Sequence, residues 1–432
     1  MKRNIIILTL VTLFFTGCRK EADYYPYIGE NGPLAYNSYA SQFDYLWKCI
    51  SMGYVFWDIE KTDWDAVYEE LMPQFEALDA RHEAGGDVTL DDLETLYGRA
   101  LGGMVDHHMT VAIKNIHPSP NDTKPYAAFR PGQAEVATRD YFFESVYDEK
   151  VSMRAFLDGS IDGLYSLADH QSATVFSTSL GDSVTYHYCL INLPDGRQIP
   201  YLWQSGASLT SILSTLGSAP NVSAAYAVIH SWFTAATTLP RAKLAGIILD
   251  NRANSGGETS DVYFVIGSFL NEKAVWGENR TKEGPGHFEH TAWVPTYVSP
   301  NPLYHRDITA EKIPYVVLCD INSISMGEIE PSAIKELLPT SYIIGERTCG
   351  ATGSLMPTDR IDITYGGPFG DISKMNHYVY TSTMECRIGG VNREGTGLVP
   401  DKVVNRKDYN GDFKPQLDEA IQYIQSIPIQ GN

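Results

Sequence analysis

Cysteine is scarce in this sequence, and the six present are scattered as Cys18, Cys49, Cys189, Cys319, Cys349 and Cys386 without a CxxC pair. That spacing excludes a disulfide-dense scaffold and a finger-type zinc cluster, and it leaves most of these thiols as small buried hydrophobes. Basic residues are short as well: 33 Lys and Arg face 53 Asp and Glu, a formal charge of -20. Nucleic-acid binding is disfavoured, because phosphate contacts are supplied by clustered cations. An acidic surface of this kind is accounted for by solubility alone. Beyond the first residues, no apolar run approaches the roughly 20 residues a membrane-spanning helix needs. There is no internal repeat.

At the N-terminus, Lys2 and Arg3 precede a mostly apolar run from Ile5 to Phe15, followed by Thr16, Gly17 and Cys18. This is the layout of a secretory signal, too short to cross a bilayer. Small residues before Cys18 resemble a bacterial lipobox, with Phe15 where leucine is usual. The resemblance implies cleavage after Gly17 and lipidation of Cys18, whose chains hold a domain at a membrane at roughly 0.8 kcal/mol per buried methylene. Removing Lys2 and Arg3 takes the two positive charges with them, from -20 to -22. Arg19, Lys20, Glu21 and Asp23 resemble the export tag of Bacteroidetes surface lipoproteins, which implies the cell envelope, at the periplasmic or surface face of the outer membrane. Residues 1–17 are thus expected to be a signal peptide and 18–34 a lipidated tether.

From Tyr39 to about Val105 the apolar spacing is helical, with Phe43, Leu46, Trp47 and Ile50 in one run and Trp64, Val67, Tyr68 and Leu71 in the next. Thr62 with Asp65 and Thr89 with Asp92 have the pattern of helix N-caps. A helical domain over 35–118 follows from this. Between 124 and 195 the pattern changes to short β-prone stretches, Ala173 to Ser177 and Val184 to Leu190 among them, which predict a small separate β-rich domain. From 197 to 428 buried strands alternate with helices: Ala245 to Leu249 before a helix from about Thr259 to Leu270, Tyr315 to Cys319 before one from about Met326 to Leu338, then Tyr342 to Ile344. Pro331 is tolerable in the second helix only near its first turn. Continuous apolar strands between helices predict an α/β catalytic domain with a largely parallel sheet covered on both faces.

Two strand-to-helix junctions in that sheet carry chemistry, and ligands of open α/β sheets bind at the carboxyl ends of strands. The first runs from Asp250 through Arg252 and Asn254 to Gly256 and Gly257, where paired glycines let bare N–H groups be presented, as an oxyanion hole requires. Alone, it is equally an ordinary glycine turn. The second runs from Asp320 through Ser323 to Ser325, Met326, Gly327 and Glu328. A serine at a helix N-terminus sits where a developing negative charge is favoured. It is equally the position of a helix cap.

Together with Gly345 and Glu346, these residues resemble the core motifs of the C-terminal processing and tricorn-like serine peptidases, over about half the chain. The resemblance implies a ClpP/crotonase-like α/β core, with Ser325 rather than Ser323 as nucleophile. It places the N–H of Met326 with that of Gly256 or Gly257 in the oxyanion hole. The processing branch takes its base from a lysine after the nucleophile's helix. Here that segment reads Thr348, Cys349, Gly350, Ala351, Thr352, Gly353, without lysine, and Lys335 would lie roughly 15 Å along the helix from Ser325. The tricorn-like branch uses an upstream histidine, and Asp106, His107, His108 resembles its Asp-Gly-His element. His108 is then the base, with His107 in the glycine's place and an exchange of roles between the two left open. Glu394 in the segment to Asp401 matches the glutamate that orients the base. A surface or core role for the histidine pair, a metal at His107 and His108, and a metal at His287 and His290 are the competing uses. Adjacent histidines diverge on most backbones, and the second pair lacks a third ligand.

The resulting expectation is a serine endopeptidase or processing peptidase acting through an acyl-enzyme, without metal or organic cofactor. Its partners are peptide or unfolded protein substrates, and the lipid anchor is its membrane contact. The alternative is a catalytically weak peptide-binding lipoprotein on the same fold, since no PDZ loop is recognisable in 124–195.

Overall fold

The computed structural model describes residues 37–428 apart from 140, 143, 178–179, 355–365 and 374–375. The expected signal peptide, Cys18 and the tether lie outside the described residues.

Helices α1 (Tyr39–Gly53), α2 (Trp64–Glu83) and α3 (Leu90–Leu101) come first. Phe43, Leu46 and Ile50 share one buried cluster with Leu71, Phe75, Leu93 and Tyr97, and Phe43 stacks on Phe75 with ring centroids 4.3 Å apart. Thr89 and Asp92 form the expected capping box of α3. The cap of α2 is Asp63 rather than Thr62; its carboxylate accepts the Ala66 N–H at 3.0 Å, leaving the charge at the positive end of the helix. Strand β1 (Thr110–Ile113) pairs antiparallel with β2 (Ala127–Phe129) and, on its other edge, with residues 377–380. The helical unit is therefore completed by chain from more than 250 residues downstream.

Helices α4 (Pro131–Ala137), α5 (Val146–Gly159) and α6 (Ile161–Leu164) lead to β3 (Leu167–Ser177), β4 (Asp182–Asn192) and β5 (Gln198–Gln204). Next come α7 (Leu209–Ser214), α8 (Pro220–Thr238), β6 (Ile247–Asp250) and α9 (Val262–Val265), then the pair β7 (Ala274–Thr281) and β8 (Val294–Val298). β9 (Tyr315–Cys319), α10 (Met326–Leu337) and β10 (Ser341–Gly345) follow. The chain ends through β11 (Phe369–Asp371), β12 (His377–Tyr380), β13 (Met384–Ile388), β14 (Val391–Asn392), β15 (Lys402–Val403) and α11 (Lys414–Ser426).

The central sheet has the order β15-β10-β9-β6-β5-β4-β3, parallel from β15 to β5 and antiparallel beyond it. Alternate residues fill two cores, as a sheet covered on both faces requires. Tyr315, Val317 and Cys319 of β9 pack with α8 and α10, while Val316 and Leu318 pack with α5 and α11.

Two expectations are corrected here. The β-prone stretches of 124–195 do not make a domain of their own: β3 and β4 extend the central sheet, with Tyr186 opposite Gln204 and Asn192 opposite Gln198. β4 is buried along both faces from Val184 to Ile191, and a strand of that kind needs a sheet neighbour and layers on each side. The helix expected from Thr259 to Leu270 is broken into 3-10 turns at Thr259–Asp261 and Gly267–Phe269 around α9. A Cβ at Gly267 would come within 2.6 Å of the Ser299 carbonyl, so close approach of another segment decides this stretch. α10 forms as expected, with Pro331 one turn deeper than a first-turn proline. The carbonyl it leaves without a helical donor, that of Gly327, is approached by Asn251 Nδ2 at 3.5 Å.

Candidate active site

β6 and β9 lie side by side and parallel, Asp250 opposite Leu318, so their carboxyl ends open into one place. The two junctions are stitched together. Arg252 is fully buried and forks onto Asp250, with Nη2 2.5 Å from Oδ2; it also donates to the Phe413 carbonyl at 2.7 Å. The Ala253 N–H reaches Asp320 at 3.1 Å, and the Ile324 N–H reaches the Asn254 carbonyl at 2.9 Å. Gly327 is fixed by the same contact, because a Cβ there would stand 2.3 Å from the Asn254 oxygen. A buried ion pair is costly without further hydrogen bonds, and this one has them: Arg252 Nη1 also donates to Gln416 Oε1 at 3.0 Å, and Asp250 Oδ2 accepts the Tyr201 hydroxyl at 2.7 Å.

Ser325 stands just before α10 at φ 55° and ψ -119°, and its side chain makes no cap bond. A non-glycine residue there costs about 1–3 kcal/mol, strain that clusters at functional sites. The helix-cap use of this serine is thereby removed. Ser323 is committed elsewhere: it is buried, its hydroxyl donates to the Asn251 carbonyl at 2.7 Å, and it accepts the Asp320 N–H at 3.0 Å. Gly256 lies against Ser325, so close that a Cβ would meet the serine Cβ at 2.6 Å.

Of the two glycine amides, that of Gly256 is already spent on Asn254 Oδ1 at 2.9 Å. Gly257 bridges Ala207 with its N–H turned away from that partner. Among the described residues, no hydrogen bond uses the N–H of Gly257 or Met326. The pair available for an oxyanion is therefore Gly257 and Met326, and Gly256 is instead the residue that gives Ser325 room.

Segment 348–353 connects Ser325 to the other candidates. The Ser325 N–H donates to the Ala351 carbonyl at 3.0 Å. The next two amides, of Thr352 and Gly353, each donate to Glu394 Oε2 at 2.7 Å, and Glu394 Oε1 takes the His107 N–H at 2.9 Å. A ring nitrogen of His108 and carboxylate oxygens of Asp106 and Glu394 all lie within 4.8 Å of one another. His108 Nδ1 is buried without a hydrogen-bond partner among the described residues. Burial holds His108 below its ordinary value of 6.5, against the pull of Asp106. Burial, then Asp106, pushes the Glu394 carboxyl well above 4.5. Both shifts disfavour charge in the resting pair.

His107 points elsewhere. Its Nδ1 donates to the Cys349 carbonyl at 3.0 Å, its Nε2 is 3.7 Å from Glu135, and burial, with Arg139, holds it at about 4. Its ring fills the space that a side chain on Gly132 would need. His108, not His107, is the histidine whose ring lies beside the Asp106 and Glu394 carboxylates.

A metal fits the Asp106, His108, Glu394 cluster poorly. The two Asp106 oxygens already accept from the His108 N–H, the Ser382 N–H and hydroxyl, and the Thr381 hydroxyl. His287 stacks on Trp57 and bonds Ser51 at 2.8 Å, while His290 donates to the Val55 carbonyl at 2.8 Å. Lys335 is paired with Asp401 at 2.5 Å, on the far part of α10.

Sequence reasoning gave no holding role to four residues of the site. Glu328, buried and pushed up to about 7 by burial, accepts the Thr348 hydroxyl at 2.7 Å and the Ala351 N–H at 2.6 Å. Arg139 donates to the carbonyls of Thr348 and Gly395 at 3.1 and 3.3 Å. Thr381 and Ser382 hold Asp106. Only Glu328, inside the serine motif, left a signal.

An α/β core that offers a strained, uncapped serine at a helix start, beside a glycine turn with open amides, defines a serine-type peptidase, a hydrolase. Residues 225–366, about a third of the chain, match the model of peptidase family S41. The matched span holds Gly256, Gly257 and Ser325 but neither His108 nor Glu394. A candidate peptidase from Parabacteroides merdae is similar in structure at 19% identity, over 92% of this chain and 100% of its own, with a TM-score of 0.59. Mature CPAF complexed with lactacystin is similar at 12% identity, over 90% of this chain and 99% of its own, with a TM-score of 0.54. These likenesses concern the fold. No curated protein matches the chain.

Proposed function

We propose that the chain hydrolyses peptide bonds of peptides or unfolded proteins through an acyl-enzyme. Ser325 Oγ attacks the scissile carbonyl as His108 takes its proton; the carbonyl oxygen gains its charge at the N–H groups of Gly257 and Met326. His108 returns the proton to the leaving amine, and water, deprotonated by His108, releases the acyl group from Ser325. Glu394 and Asp106 face the imidazolium that forms between the two transfers.

One observation carries the reading: an uncapped Ser325 is tied through Ala351, Thr352 and Gly353 to the carboxylate that stands beside His108. A fluorophosphonate probe on purified protein tests it. Labelling is expected at Ser325, and it should persist in Ser323→Ala. Peptide binding without labelling or turnover would favour the weakly catalytic binding protein instead. The chain is further proposed to work in the cell envelope on a lipid at Cys18, a reading supported by Lys2, Arg3, the apolar run and Thr16, Gly17.

A further inference from the structure

On the face of the central sheet covered by α5 and α6, β3 carries an irregularity. Ala168 is opposite Leu190 and Gln171 is opposite Tyr188, so one extra residue is inserted on β3. Asp169 within it takes φ 50°. Bulges re-aim side chains at the cost of local strain, and the side chain re-aimed here is His170. Its Nε2 lies 2.8 Å from Nε2 of His187 on β4. Each ring is backed by a carboxylate on its other nitrogen: His170 Nδ1 is 2.9 Å from Asp162 of α6, and His187 Nδ1 is 3.7 Å from Asp158 at the end of α5.

Two imidazoles facing through Nε2, each with Nδ1 turned to a carboxylate, have the outer-sphere arrangement of histidine metal ligands. Without a cation, the contact requires one Nε2 to carry a proton and the other to be bare. A cation removes that asymmetry, because both Nε2 atoms then act as ligands and both Nδ1–H groups donate to Asp. The two Asp charges match a divalent ion.

We propose that His170 and His187 bind a divalent transition-metal cation of the zinc type, with Asp162 and Asp158 orienting the imidazoles and water completing the shell. A tetrahedral ion at ~2.1 Å from each nitrogen holds the pair ~3.4 Å apart, so one ring must withdraw by about 0.6 Å. His170, 25% exposed, is able to do so, whereas His187 is 1% exposed and fixed. The site is separate from the Ser325 cleft, but it ties down the end of α5. Earlier on that helix, Lys150 donates to Ser255 Oγ of the glycine junction at 2.8 Å.

The test is calorimetric titration of Zn²⁺ into the whole chain without a polyhistidine tag. One ion per chain is expected, bound at least tenfold more weakly by His170→Ala and about tenfold more weakly by Asp162→Asn. Absence of saturable binding, or equal affinity in a folded His170→Ala protein, would overturn the proposal. Zinc-edge X-ray absorption on the wild type needs no variant: imidazole nitrogens at ~2.0–2.1 Å support the site, and a shell of oxygens alone refutes it.

Discussion

Ser323 and Ser325 stand two residues apart after β9 and differ in what their hydroxyls already do. Ser323 is spent on the Asn251 carbonyl, while Ser325 sits at positive φ against Gly256 with its hydroxyl uncommitted among the described residues. A nucleophile and its base act as a unit, so removing either costs nearly the whole rate enhancement. Steady-state hydrolysis of an unstructured protein should therefore fall to a similar low level in Ser325→Ala and His108→Ala, with little further loss in the double variant. Glu394→Gln should keep more activity, since orienting a base usually matters less than supplying it. Activity retained by Ser325→Ala, or a loss in Lys335→Ala without one in His108→Ala, would contradict the assignment.

At the scale of elements, the start of α10 does two things: the residue just before it, Ser325, is the proposed nucleophile, and its third residue, Glu328, holds segment 348–353 through Thr348, Gly350 and Ala351. Since that segment also carries the amides that grip Glu394, the helix start and the base's carboxylate move together. In Glu328→Gln an amide NH₂ would face backbone N–H donors, and an unsatisfied buried group costs about 1–3 kcal/mol. Chemical denaturation should show a loss of that size, and the fluorophosphonate probe should react more slowly with Ser325. Wild-type stability and labelling rate in this variant would separate the segment from catalysis.

For the whole molecule, buried carboxyls set how stability depends on pH. Burial is the first cause in each case, pushing Asp261, Asp320, Glu328 and Glu385 up to about 7 and Glu330 and Glu346 up to about 8. A carboxyl raised in the fold binds a proton that the unfolded chain has released. Its contribution is present below the unfolded value and is lost as pH rises through the folded one. The buried histidines act oppositely: His107 and His187 are held at about 4 against 6.5, so their effect is confined below 6.5. Between pH 6.5 and 8 these six carboxyls outweigh Lys282, which burial lowers only to about 8, and the Tm in scanning calorimetry should fall as pH rises. A flat or rising Tm would count against these burial effects. At the same scale, Cys18→Ser should abolish palmitate labelling in cells and release the protein from membranes; unchanged labelling would remove the anchor.

The sequence by itself determined the strands and helices whose periodicity is local, Tyr315 to Cys319 and Met326 to Leu337 among them, and the residues whose chemistry is carried by a motif. It linked His108 with Glu394 only through a resemblance, because 286 residues separate them (394 − 108) and no local pattern spans such a gap. The tertiary structure decided the rest. It chose between Gly256 and Gly257, because an amide is free or spent according to where Asn254 reaches. It separated His107 from His108, because only packing fixes which ring meets Cys349 and which meets the carboxylates. It also drew β3 and β4 into the central sheet, because strand pairing is decided by the partner that buries both faces, and that partner is not written in the strand.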